Sequence, residues 1–400
     1  MSIENGMSRR NFLSGAAVAG AAIAGMAGLS ACSPAASSSK SDAKADTKAA
    51  ATGEATMGFD GTGAMPWLGE KPQISDSDVE ETVDADVVVV GLGCAGVPAA
   101  RAAAEAGAKV VALEASPKLN SVASDMAIFG GETQAKWDRG DGYMDKKTVV
   151  NMHMEEGSHH VNQSIMSTYY DKSGEALDWF ISASKNLYIA PESYAEIPDE
   201  SQKNYMYPYM YPMPDTYDYT KEDLPCYPTS VGFSSLATVQ ADNLQVAVDA
   251  GADVRYETKG VELIQDSDGA IAGIYAQKNG SEKYIKINAK AVIIATGDYL
   301  ANEDMMKFYA PQCVENGIQI LSLDMDADGN YTNVGDGHKM GVWAGGEIEP
   351  TTHTKMIHDA RVGRVDTPHL LVNAKGERFM CEGPMQGYLN NYVREYIHEA

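Results

Sequence analysis

The segment that most constrains the fold is DVVVVGLGCAGVPAARAAAEAGAKVVALEAS, residues 86 to 116. Asp86 to Val90 form a continuous apolar, β-branched run, the pattern of a strand buried on both faces of a parallel sheet. Gly91, Gly93 and Gly96 follow in G-x-G-x-x-G spacing with Ala95 between the last two, and an alanine-rich helix runs to Gly107. A second strand, Lys109 to Leu113, ends at Glu114 and Ala115. Each choice has a physical reason. Gly91 permits the tight turn out of the strand, Gly93 lets the backbone approach a pyrophosphate, and Gly96 lets the helix pack closely on the strand. The helix N-terminus offers N–H groups and the positive end of its dipole to phosphate. Glu114 stands 21 residues after Gly93, where an acid bonds ribose hydroxyls. The order of strand, turn, helix, strand and acid predicts a dinucleotide site. It does not by itself separate NAD from FAD.

The chain has 400 residues, a net charge of −25 and 44% apolar residues. These values exclude a disordered chain and a disulfide-stapled miniprotein, and the acidity excludes a nucleic-acid partner. The five cysteines form no C-x-x-C pair, so neither a zinc ribbon nor covalent haem is expected. No metal site is expected either: the acidic run DMDADGN has Gly335 where a calcium loop needs its glutamate, and reads as a solvated turn.

The first 32 residues read as an address. SRRNFL precedes an uncharged Ala/Gly-rich run that ends in LSAC at Cys32. This resembles a twin-arginine export signal closed by a bacterial lipobox, which implies an extracytoplasmic protein anchored to the membrane through lipid on Cys32. Residues 33 to 58, rich in Ser, Ala, Lys and Asp, read as a flexible linker. A folded-state exporter raises the expectation of a redox cofactor.

Further along, the helix expected from about Ser234 to Ala250 is followed by four short strands, ADVRYET, GVELIQD, AIAGIYAQ and KYIKINA. They return to a second apolar parallel strand, AVIIATG, ending in Ala295, Thr296 and Gly297. This order resembles FAD domains of the glutathione-reductase type. Residues 333 to 346, NVGDGHKMGVWAGG, and residues 371 to 382, LVNAKGERFMCE, resemble the flavoprotein subunits of fumarate reductases and succinate dehydrogenases, including flavocytochrome and urocanate reductases.

That resemblance implies an α/β fold: a Rossmann-like FAD-binding domain with an inserted β-meander over residues 82–349, and the start of an α+β capping domain over 350–400. It implies FAD as cofactor, with Asn120 and Ser121 near the diphosphate, Val261 at the adenine, Ala295 to Gly297 beside the dinucleotide and Asp336 near the cofactor. It also implies His353 as a ligand of a substrate carboxylate. The family's proton-donating arginine is replaced by Gln386, which leaves Arg361, Arg364, Arg394 or a tyrosine for that task. Asp298 and the pair Lys118–Leu119 stand where relatives carry glycines. Such relatives continue past this point, so the 400 residues are expected to be part of a longer chain.

The expected activity is hydride transfer to an activated C=C bond of a small unsaturated substrate, with electrons from a separate cytochrome or flavin carrier. An FAD-dependent dehydrogenase and a catalytically inactive FAD-binding protein are the alternatives. Two structural expectations complete the reading. Residues 146 to 184 read as helical, with Ser173 as a cap. The tyrosine- and proline-rich stretch from Tyr205 to Tyr227 cannot be a helix, and reads as either an aromatic wall or an extended surface loop, the loop being favoured.

Overall fold

The computed structural model describes residues 65–119, 125–137, 145–157, 159, 161–190, 204–209, 221, 230–315, 317, 324–349, 353, 372 and 375–378. The signal, the linker, Asn120, Ser121, Arg361, Arg364, Gln386 and Arg394 lie outside them, as does nearly all of the expected capping segment.

The β-branched run grows into strand β1, Val79–Val90, and the following helix α1 spans Gly96–Glu105. Strand β2 is Val110–Leu113 and β7 is Asp253–Arg255. Three longer strands follow: β8 Thr258–Gln265, β9 Ile271–Lys278 and β10 Tyr284–Ile294. These six strands form one sheet in the order β7-β2-β1-β10-β9-β8. β2 and β10 run parallel to β1, β7 runs parallel to β2, and β8 and β9 continue as antiparallel hairpins.

Alternation along β1 divides the core. Val88 and Val90 join Val111, Leu113, Ile274, Ile287 and Met340 on one face. Val89 joins Val97, Ala100 and Ala104 of α1, with Leu244 and Ala247 of helix α5, Leu236–Asp249, on the other. The small residues of α1 let it lie close on the sheet, which fixes where its N-terminus points.

A second sheet, in the order β3-β6-β5-β4, joins β3 Asp125–Ala127, β4 Tyr188–Ile189, β5 Tyr205–Tyr209 and β6 Ser230–Phe233. It packs Met206, Val231 and Phe233 against Leu177, Phe180 and Ile181 of helix α4, Gln163–Ile181. Arg101 joins the two lobes. It is 4% exposed, donates to the Trp179 carbonyl and to Asn243 Oδ1 at 2.8 and 2.7 Å, and lies 4.1 Å above the Trp179 ring.

Several expectations change. The helical stretch 146 to 184 divides into α3, Lys146–Glu156, and α4. Asn162 starts the second helix by accepting from Ser164 N and Ile165 N, a capping geometry that leaves the preceding residue outside the helix. Ser173 is no cap. It sits inside α4, and its Oγ accepts from Phe129 N at 2.8 Å. ADVRYET supplies a parallel strand of the nucleotide sheet and not a meander strand.

KYIKINA and AVIIATG form one strand, because the N-terminal half of β10 pairs with both β9 and β1 while the remainder continues along β1. Past Asn288 no described strand pairs with the other edge of β10, and Ile293 and Ile294 near its end are 37% and 41% exposed. Of the tyrosine-rich stretch, Tyr205–Tyr209 is a strand, and Pro208 lies beyond the two residues that β4 pairs.

Candidate functional site

The carboxyl ends of β1, β2 and β10 open into one cleft of about 610 Å³, its open mouth included. Gly91, Gly93, Glu114, Ala115, Ala295, Thr296, Gly297 and Asp336, eight of the residues singled out in the sequence, line it together.

The glycine turn shows why its residues are small. Gly91 has φ +93°, and a Cβ there would overlap the Ala295 carbonyl oxygen. A Cβ at Gly96 would overlap the Gly91 carbonyl oxygen, so the helix meets the strand with no room for a side chain. Gly93 differs, since a Cβ there would meet nothing within 4 Å. Two glycines make the close packing and the third leaves open space above the backbone. Ala95 is the N-cap residue of α1, and no side chain caps that end. A pyrophosphate fits this cradle, with the dipole end of α1 beneath it.

Glu114 closes the adjoining wall. Its two carboxylate oxygens accept from Leu92 N and Ser116 N, each at 2.8 Å. A carboxylate has about four acceptor positions, so both oxygens retain capacity for ribose hydroxyls. The opposite wall is built by helix α8, Asp336–Trp343, whose N-cap Gly335 is left-handed at φ +77°. A Cβ at Gly337 would overlap Thr296 Oγ1, which places the start of α8 directly against the exit of β10.

Lys259 and Asp336 close an ion pair of 2.8 Å across the cleft. Lys259 is the one cation among the described lining residues, beside Glu114, Asp324 and Asp336. Burial and the neighbouring Asp298 raise the Asp324 carboxyl above the ordinary aspartate value.

Val261 is not among the residues that line the cleft; its neighbour Gly260 is. The pairing of β8 with β9 passes from Gly260 to Glu262, so Val261 is the extra residue of a bulge, a place where ladder pairing is interrupted. Leu92, Lys259, Asp324, Thr332 and Asn333 also line the cleft and were not expected from the sequence. The Lys259–Asp336 pair joins residues 77 positions apart, and no local pattern marks it.

His353 sits beyond the end of α8. Its Nδ1 lies 2.6 Å from the Tyr299 hydroxyl and its Nε2 lies 2.8 Å from the Glu349 carbonyl. Tyr309 stacks on the imidazole at 3.9 Å and 9°. The edge of His338 meets Tyr299 at 5.3 Å. Burial, with a smaller contribution from His353, lowers the His338 imidazole below its ordinary value against the opposing pull of Asp298. In the acidic run, Asp326 turns the chain by accepting from Asp328 N and Asn330 N at 3.0 and 2.8 Å.

Comparison with known proteins gives a consistent result. A family described as "FAD binding domain" matches residues 86–399. A urocanate reductase of Eggerthella lenta is 27% identical over 349 residues, covering 84% of this chain and 52% of the relative. A fumarate reductase (cytochrome) of Shewanella frigidimarina is 25% identical over 352 residues, covering 80% of this chain and 51% of the relative. A digoxin reductase of Eggerthella lenta is 26% identical over 364 residues, covering 84% and 54%. The chain thus spans about half the length of the curated relatives it matches.

Proposed function

The chain belongs to the FAD-binding domain family, its cofactor is FAD, and on that premise we propose that it is an exported reductase acting on an activated C=C bond of a small unsaturated substrate. The observation that carries this reading is the convergence of the glycine cradle, Glu114 and Asp336 on one cleft at the strand ends. When bound, FAD supplies the hydride chemistry, while the protein supplies orientation and electrostatics.

In this reading the open backbone at Gly93 and the N-terminus of α1 receive the diphosphate. Glu114 takes ribose hydroxyls, and Val261 offers its backbone to the adenine. Asn120 and Ser121 complete the diphosphate side, and Ala295, Thr296 and Gly297 flank the dinucleotide. Asp336, held by Lys259, presents its second oxygen to a cofactor hydroxyl. His353 binds a substrate carboxylate, and Arg361 or Arg364 completes the anion site and delivers the proton to carbon in place of the arginine that Gln386 replaces. General acid catalysis of this kind contributes about 10²–10⁴-fold. Electrons reach the site from a separate carrier protein.

The relatives' printed names, urocanate, fumarate and digoxin reductase, support a reductase and span acids and a steroid lactone. Export and a lipid on Cys32 belong to the same proposal, supported by SRRNFL and LSAC. The test is turnover of fumarate, urocanate, cinnamate and a steroid enone with reduced viologen as donor. Oxidation of the viologen with at least one of them is the expected result. Turnover only in the opposite sense, with saturated substrates and an oxidised acceptor, contradicts the reductase reading.

A further inference from the structure

We propose that Tyr299 is a positioning residue for His353: its hydroxyl holds the imidazole as the neutral Nε2–H tautomer and presents that N–H where a substrate carboxylate takes the place of the Glu349 carbonyl. The second half of this statement rests on His353 being a substrate ligand, as proposed above. The first half stands on the hydrogen bonds alone.

The Glu349 oxygen 2.8 Å from Nε2 is a backbone carbonyl and can only accept, so Nε2 carries a proton. In the neutral imidazole Nδ1 is then bare. It accepts from the Tyr299 hydroxyl at 2.6 Å. A tyrosine can both donate and accept, but beside a bare nitrogen it donates. Burial pushes the Tyr299 phenol up to about 12, with Tyr309, Asp298 and Cys313 adding to the shift. The donor therefore persists across the whole working pH range.

The ring is also fixed in plane. Tyr309 stacks on it at 3.9 Å, the Tyr309 carbonyl accepts from His353 N at 3.2 Å, and Trp67 supports Tyr309 at 5.8 Å. The two nitrogens face different surroundings: the Tyr299 bond is partly buried and the Glu349 bond is exposed. Among the described residues, the Nε2 side is the more open of the two. A carboxylate replacing a neutral carbonyl there converts an ordinary hydrogen bond into a charge-assisted one, which is shorter and roughly twice as strong.

The experiment uses the full chain loaded with FAD and labelled with ¹⁵N-histidine, with the His353 signals assigned by their loss in His353→Gln. At neutral pH the wild type is expected to show a protonated Nε2 and a bare, hydrogen-bonded Nδ1. Tyr299→Phe keeps the ring contacts and removes one hydroxyl. It is expected to give a mixed tautomer and to raise KM for a carboxylate substrate about tenfold, the loss of one hydrogen bond, with kcat changed less than about threefold. A wild-type Nδ1–H tautomer, or unchanged His353 signals in Tyr299→Phe, overturns the proposal. A tautomer change without any change in KM upholds Tyr299 as the positioning residue and removes His353 from the substrate site.

Discussion

Both sheets have an apolar core, but among the described residues the second adds a set of side-chain hydrogen bonds that the first lacks at its centre. In the six-stranded sheet, Val88, Val89 and Val90 at the end of β1 are buried among aliphatic side chains on both faces, and the ladder from β1 to β10 runs from Val79 to Val90. The four-stranded sheet has one strand of two residues and one of three. Side chains of α4 fasten the segment beside it: Ser173 Oγ accepts from Phe129 N, Asp178 accepts from Glu132 N and Thr133 N, and the Tyr169 hydroxyl donates to the Ala127 carbonyl. Apolar burial stabilises in proportion to area and tolerates small changes. A hydrogen-bonded fastening depends on each partner. The first sheet therefore keeps its carboxyl end available for the cofactor, and the second depends on Arg101 and α4 for its place.

The largest effect separating the two belongs to the glycine turn. Gly96→Val forces a side chain into the Gly91 carbonyl and moves the N-terminus of α1 off the strand. Overpacking of this kind costs about 1–3 kcal/mol, which leaves a folded chain. FAD affinity is expected to fall at least about 100-fold, equivalent to ~2.7 kcal/mol, as measured by flavin fluorescence quenching. Near-normal affinity in this variant would place the cofactor elsewhere.

Arg101→Leu comes next and acts on the seam between lobes. It leaves Asn243 Oδ1 and the Trp179 carbonyl without their guanidinium donor and removes the ion pair to Glu105 at 3.0 Å. The expected loss is about 2 kcal/mol, that of leaving an acceptor unsatisfied, read from urea unfolding, with the α4 lobe losing hydrogen-exchange protection before β1. Simultaneous loss in both lobes would show that they form one cooperative unit.

The first sheet was legible because its information is local. Asp86 to Glu114 contain strand, turn, helix and acid in one run, and each glycine carries a backbone requirement that the structure displays. ADVRYET and AVIIATG show the limit. Both were recognisable as strands, yet their neighbours were not, because pairing of β7 with β2 and of β10 with β1 joins residues more than 140 positions apart. The second sheet was barely legible. The prolines between Tyr205 and Tyr227 excluded a helix, and the sequence reading favoured a loop where Tyr205–Tyr209 forms a strand. Within the cleft, Glu114 and Asp336 were visible as motif positions, whereas Lys259 became part of the site only through tertiary packing. The Tyr299–His353 bond joins residues 54 apart and left no trace in spacing.

The smallest effect concerns pH. Burial lowers the His338 imidazole in the folded protein relative to its ordinary value of 6.5. Between the two values the unfolded chain binds more protons, so this group's contribution is full above 6.5 and is lost as pH falls through the folded value. Unfolding midpoints in urea are expected to drop as pH is lowered from 7 toward 5, by less in His338→Gln than in the wild type. An equal drop in both would assign the acid sensitivity to other groups.

The central claim is that the cleft at the ends of β1, β2 and β10 holds FAD, and titrating the purified chain with FAD and with FMN while recording the visible spectrum tests it most directly. The account predicts saturation at one FAD per chain, a shifted flavin band, and at least about tenfold weaker binding of FMN, which lacks the adenosine that Glu114 and the backbone at Gly260 and Val261 would hold. Equal binding of both, or no spectral change with either, would contradict it.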